Sequence, residues 1–120
     1  MTLGISEAGD VFERAIQDTR NRFVARKDEL VDRFDGLLDL LEAGENRIDV
    51  LNAIAAEAHK ISGVGKMIGL QGLGDTARRV EELARLSAES AAPDEVLPAL
   101  IGAVEELSDR LDALQTEMSA

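Results

Sequence analysis

The sequence predicts an all-α protein: an antiparallel, up-down four-helix bundle with a long N-terminal helical segment. Three observations carry this. Only two prolines occur in 120 residues, Pro93 and Pro98, and Asn-Gly or Asp-Gly hairpin signals are almost absent. Alternating β-branched runs, the mark of strands, are missing. The apolar residues instead recur at three- and four-residue spacing, which places them on one face of a helix.

The elements follow in order. Ile16, Phe23, Leu30 and Leu37 fall seven apart, with Phe12, Phe34 and Leu41 filling in. This spacing predicts one long helix, or two abutting ones, from about Ser6 to Ala43, with Ser6 as N-cap and Gly44 as the C-terminal stop. A second helix starts near Asn46 or Asp49 and runs towards Leu70. The stretch from Gly69 to Gly74 reads as a turn. A third helix carries Leu73, Ala77, Val80 and Leu83 or Ala84 on one side and fades between Ser87 and Ala92. Pro93 and Asp94 open a last helix with Leu97, Leu100, Val104, Leu107, Leu111, Leu114 and Met118 in the 3-4 spacing of a bundle seam. Pro98 is expected in its first turn, where the missing N–H is harmless. No linker or low-complexity tract divides the chain, so residues 1–120 are expected to form a single domain.

Composition removes several functions. With no cysteine, disulfides, Cys-based zinc sites and thiol nucleophiles are excluded. A single histidine excludes the paired-His zinc motif. A formal charge of −11 and only three aromatic rings suit neither phosphate backbones nor stacked bases, so no nucleic-acid partner is expected. No stretch reaches the roughly 18 apolar residues of a membrane span, and the N-terminus lacks a basic, hydrophobic leader. A cytoplasmic protein without a membrane partner is the expectation.

One segment departs from the rest. Ala58 to Gly74, AHKISGVGKMIGLQGLG, holds the only histidine, two of the three lysines and five of the ten glycines, and no acidic residue. On a helical wheel, Val50, Ile54, Ile61, Val64 and Ile68 gather about 140–220° from His59 and form a core-facing stripe. Glu57 falls inside that apolar arc. Within about 60° of His59 lie Asn52, Ala55, Ala56, Ser62, Gly63 and Lys66, mostly small, so the ring is expected on a surface open to close approach. Gly63, Gly65 and Gly69, each costing about 1 kcal/mol inside a helix relative to Ala, need a reason. Close helix packing can account for Gly65 and Gly69. Gly63 lies one turn beyond His59 on the open face, where it clears the approach to the ring.

A lone histidine in a helical domain is most often a surface residue or a hydrogen-bonded core residue, and the wheel removes the core version. A metal site lacks a second His or Cys, and a Ser–His–Asp hydrolase lacks a pocket and an oxyanion hole. An exposed imidazole offers an unprotonated nitrogen near neutral pH and can attack a phosphoryl group. Lys60 and Lys66 bring positive charge for the incoming dianion.

These residues resemble the histidine-containing phosphotransfer (HPt) domain family, the helical phosphocarriers of bacterial phosphorelays and of chemotaxis-kinase N-terminal domains. The family pattern is His, an aliphatic two residues on, Lys at three, Gly at four and a second Gly at ten. Here it is met by His59, Ile61, Gly63 and Gly69, with Ala58, Leu70 and the run Leu73, Ala77, Val80, Glu81 also fitting. The departure is Ser62 in place of the usual lysine. The resemblance implies that His59 is the phosphoryl acceptor and donor, with Lys60, Ser62 and Lys66 supporting the phosphoryl site. Asn52, Ala55, Ala56, Gly63 and Lys66 would form the docking face, and Lys66 would be the main substitute for the missing lysine.

The implied partners are a response-regulator receiver domain and a sensor histidine kinase. No cofactor is expected of the chain itself: Gly63-Val64-Gly65-Lys66 lacks the preceding strand and the spacing of a phosphate loop. The Mg²⁺ of the reaction is expected on the receiver. A helical adaptor that docks a receiver or kinase without taking phosphate is the alternative, and a coiled-coil adaptor dimerising through the Leu97–Met118 seam is a further one. The seam is expected to face the chain's own core, which favours a monomer.

Overall fold

The computed structural model describes residues 3–89 and 93–118, with side chains described over 9–89 and 95–114. It contains α1 (Leu3–Ala25), α2 (Lys27–Ala43), α3 (Arg47–Met67), α4 (Gln71–Glu89) and α5 (Pro93–Met118), and no strand occurs among the described residues. The N-terminal segment is two abutting helices. Their break lies at Arg26, whose N–H donates to the Phe23 carbonyl at 3.0 Å, and Phe23 and Leu30 on either side of it are both buried. Helix α1 already runs through Ser6, so Ser6 is not its cap. Gly44 ends α2 in the left-handed region at φ 78°, a conformation that costs glycine nothing. Asn46 flanks the start of α3 at φ 50°, which an Asn tolerates better than most residues.

Helix α2 packs on α3, α3 on α4, α4 on α5, and α5 back on α2, with the α3–α4 contact the most extensive. Neighbours run in opposite directions. Arg33 of α2 reaches Glu57 of α3 at 2.8 Å, each twelve residues from Glu45 in the connection. Buried Lys27, at the start of α2, donates to the Asp112 carbonyl near the end of α5 at 2.9 Å. Between these helices lies a core of Phe34, Leu51, Ile54, Ile61, Val80, Leu100, Val104, Leu107 and Leu111, each no more than 2% exposed. The α5 seam therefore faces its own chain as far as Leu114. Met118 lies outside the residues whose side chains are described.

Helix α1 touches α5 and α2 only lightly and extends the molecule to 63 Å along its long axis. The radius of gyration, 17.1 Å, exceeds the roughly 14 Å of a compact chain of this length. Phe12, placed by its spacing in the apolar stripe, is consequently 66% exposed.

Two further expectations are corrected. The turn after α3 is shorter than Gly69 to Gly74: α4 starts at Gln71, so Gly72 and Gly74 are helical. Gly69 is the turn residue, at φ 79°, and carries no helix penalty. Pro98 is the sixth residue of α5 rather than part of its first turn, and so removes one internal backbone hydrogen bond. It faces solvent.

Candidate functional site

The α3–α4 hairpin sets the site. At its closed end two glycines let the backbones meet: a Cβ on Gly65 would lie 3.0 Å from the Gly74 nitrogen and 3.2 Å from the Leu70 carbonyl oxygen. This close approach brings α4 across one flank of α3, so the buried arc of α3 is wider than the stripe of the wheel. Leu51, Ala55 and Ala58 are fully buried and Ser62 is 7% exposed. Ala55 is therefore not part of an exposed docking face, and Ser62 is no exposed support for a phosphoryl group. Their small size serves the close packing of α4.

The rest of the face is open. His59, Asn52, Ala56, Gly63 and Lys66 are all exposed, and a Cβ on Gly63 would meet nothing within 4 Å. The His59 side chain is 71% exposed. Lys60 points elsewhere, to Glu57 at 3.8 Å. Glu57 sits in the apolar arc because Arg33, at 2.8 Å, and Lys60 compensate its buried carboxylate.

Across the hairpin stands Glu81, with both carboxylate oxygens 3.1 Å from His59 Nδ1. An ionised carboxylate can only accept, so Nδ1 carries the proton and donates. Nε2 then keeps the ring's lone pair, without a hydrogen-bond partner among the described residues. Burial opposes the charge on Glu81, but hydrogen bonds from Arg85 and His59 outweigh it and hold the carboxyl below its ordinary value. Arg85, one turn along α4, gives Glu81 Oε2 two N–H contacts at 3.2 and 2.9 Å. The arrangement is thus an exposed imidazole, held at Nδ1 by a half-buried carboxylate that an arginine holds in turn.

Neither Glu81 nor Arg85 stands out from its own surroundings in the sequence. Glu81 is visible there only as part of the run in the following helix that fits the family pattern. Among the described residues no group of three or more His, Asp or Glu is placed to hold a metal ion. No helix is long and apolar enough to cross a membrane, among the described residues.

A family model described as Hpt domain matches residues 11–117. No curated protein and no solved structure matches the chain.

Proposed function

The chain belongs to the Hpt domain family, which carries out histidine phosphotransfer in phosphorelays, and from that premise we propose that His59 exchanges a phosphoryl group with the aspartate of a response-regulator receiver domain. The observation that carries this reading is the pairing of an exposed ring with a fixed tautomer: Nδ1 donates to Glu81, and the side chain that carries Nε2 is 71% exposed.

The step balances without a base. Nε2 attacks the phosphorus of the receiver's aspartyl phosphate, the P–O bond breaks, and the aspartate leaves with the electron pair. The Nδ1 proton stays on the ring, so the phosphorylated ring is cationic and Glu81 offsets its charge. That charge also makes the ring a good leaving group for the return step. We place the Mg²⁺ of the reaction on the receiver, and catalysis is then mostly positioning by the partner.

Asn52, Ala56, Gly63 and Lys66 form the docking face, and their exposure on one side of α3 supports it. The same reading takes α2 to α5 as an up-down four-helix bundle and α1 as its extended N-terminal segment, in a monomeric, cytoplasmic protein of a bacterial pathway that starts at a sensor histidine kinase. The opposite directions of neighbouring helices support the architecture. An adaptor that docks without taking phosphate would use the same face. Phosphotransfer profiling against the receiver domains of the source organism separates the two: a carrier takes and retains phosphate on His59, and an adaptor binds without label.

A further inference from the structure

A cleft of about 550 Å³ lies where α2 ends, beside the start of α3 and the first half of α5. That volume is within the range of small-molecule sites. Leu38, Leu41, Leu97 and Ile101 give it an apolar wall, and Asp39, Glu42 and Glu105 also line it. Its one cation is Arg47. Arg47 precedes His59 by twelve residues, roughly 18 Å along α3, so the cleft is separate from the phosphoryl site.

Arg47 stands in the register of the core. Arg47, Leu51, Ile54 and Ala58 follow one another at four- and three-residue spacing, and the last three are fully buried. The Nε and Nη2 of Arg47 are buried as well, and neither has a hydrogen-bond partner. A desolvated guanidinium edge without an acceptor is unfavourable, and arginines buried this way are ordinarily paired. Three carboxylates line the same cleft, yet none forms an ion pair with Arg47 or with any other described residue. Glu42 also lies in the last turn of α2, where no basic residue offsets the negative end of the helix.

The cleft thus offers an unmatched cation, unmatched anions and a hydrocarbon wall. A simple anion would be repelled by the carboxylates, and a simple cation would leave Arg47 without an acceptor. A molecule with both charges and an aliphatic body meets all three needs. We propose that the cleft binds a free aliphatic α-amino acid. Its carboxylate sits on Arg47, its ammonium among Asp39, Glu42 and Glu105, and its side chain against the leucines and Ile101. The Nε–Nη2 edge of a guanidinium holds a carboxylate through two parallel hydrogen bonds. Arg47 turns that edge into the cleft as the ligand enters, exchanging apolar surroundings for an acceptor.

The test titrates the full chain, labelled with ¹⁵N, with three probes followed by NMR. They are L-leucine, leucinamide, which lacks the carboxylate, and isocaproate, which lacks the ammonium. Shifts should cluster at cleft residues such as Gly44 and Ile101 and saturate, with leucine binding about tenfold more tightly than either analogue. Arg47→Met keeps an unbranched apolar stem and should erase the advantage of leucine over leucinamide. Glu42→Gln combined with Glu105→Gln should erase its advantage over isocaproate. The unperturbed spectrum around His59 reports that each variant is folded; were Arg47→Met to unfold, the three probes on the wild type would still decide. No saturable shift with leucine overturns the site, as do equal affinities for the three probes or wild-type binding by a folded Arg47→Met. None of these outcomes touches His59, so the carrier reading stands or falls separately.

Discussion

A carboxylate 3.1 Å from the only imidazole fixes which ring nitrogen carries the proton and which keeps its lone pair. Glu81 also makes the site sensitive to pH. Its carboxyl is held below the ordinary value of 4.5 by Arg85 and His59, which outweigh its burial. A depressed carboxyl contributes stability that is fully present above its unfolded value and is lost as pH falls through its folded one. Thermal unfolding of the wild type and Glu81→Gln should therefore differ most near neutrality, and the gap should close below pH 4.5. A gap independent of pH would show that the ionised carboxylate is not what stabilises the pair. Gly63 makes the second prediction at this scale. Its open surroundings mean that Gly63→Ala gains up to about 1 kcal/mol of helix stability, measured by urea unfolding. Gly63→Leu should impair phosphotransfer far more than stability; a loss of several kcal/mol with transfer intact would make Gly63 a packing glycine. The exposed half of this site could be read from one helical wheel, because His59, Gly63 and Asn52 share a face of one helix. Glu81 could not, since a wheel is blind to a residue 22 positions away that only the hairpin brings near.

The α3–α4 hairpin is the element on which the site depends, and its closure rests on Gly65 and Gly74. A Cβ on Gly65 would press on the Gly74 and Leu70 backbones at 3.0–3.2 Å, and backbone cannot move aside as a side-chain tip can. Gly65→Ala should thus lose about 1–3 kcal/mol from overpacking, partly offset by the roughly 1 kcal/mol that Ala gains in a helix. Chemical denaturation measures the net loss, and a stabilised variant would contradict the close contact. The helices themselves could be read from spacing, and Gly44 from its position after the last apolar turn. The width of the buried arc could not. Small residues such as Ala55 and Ser62 look the same on a wheel whether they admit a partner protein or the neighbouring helix, and here they admit α4.

At the scale of the molecule, the α5 seam is spent on the chain's own core: Leu100, Val104, Leu107 and Leu111 are fully buried within one copy. Sedimentation should accordingly give the 12.9 kDa monomer, and a stable dimer broken by substitutions in this seam would contradict the packing. The reach of α1 beyond the other helices was hidden from the sequence, because Phe12 keeps the helical spacing of the core residues without sharing their burial. What the whole fold delivers is one exposed ring, held by Glu81 of α4 and flanked on α3 by exposed Asn52, Ala56, Gly63 and Lys66. The direct test is to present phosphorylated receiver domains to the wild type and to His59→Gln and follow the label. The wild type should take up phosphate in a form stable to base and labile to acid, as a phosphoramidate is, and His59→Gln should take up none. Label retained by His59→Gln, or a wild type that binds receivers and never accepts phosphate, would contradict the account.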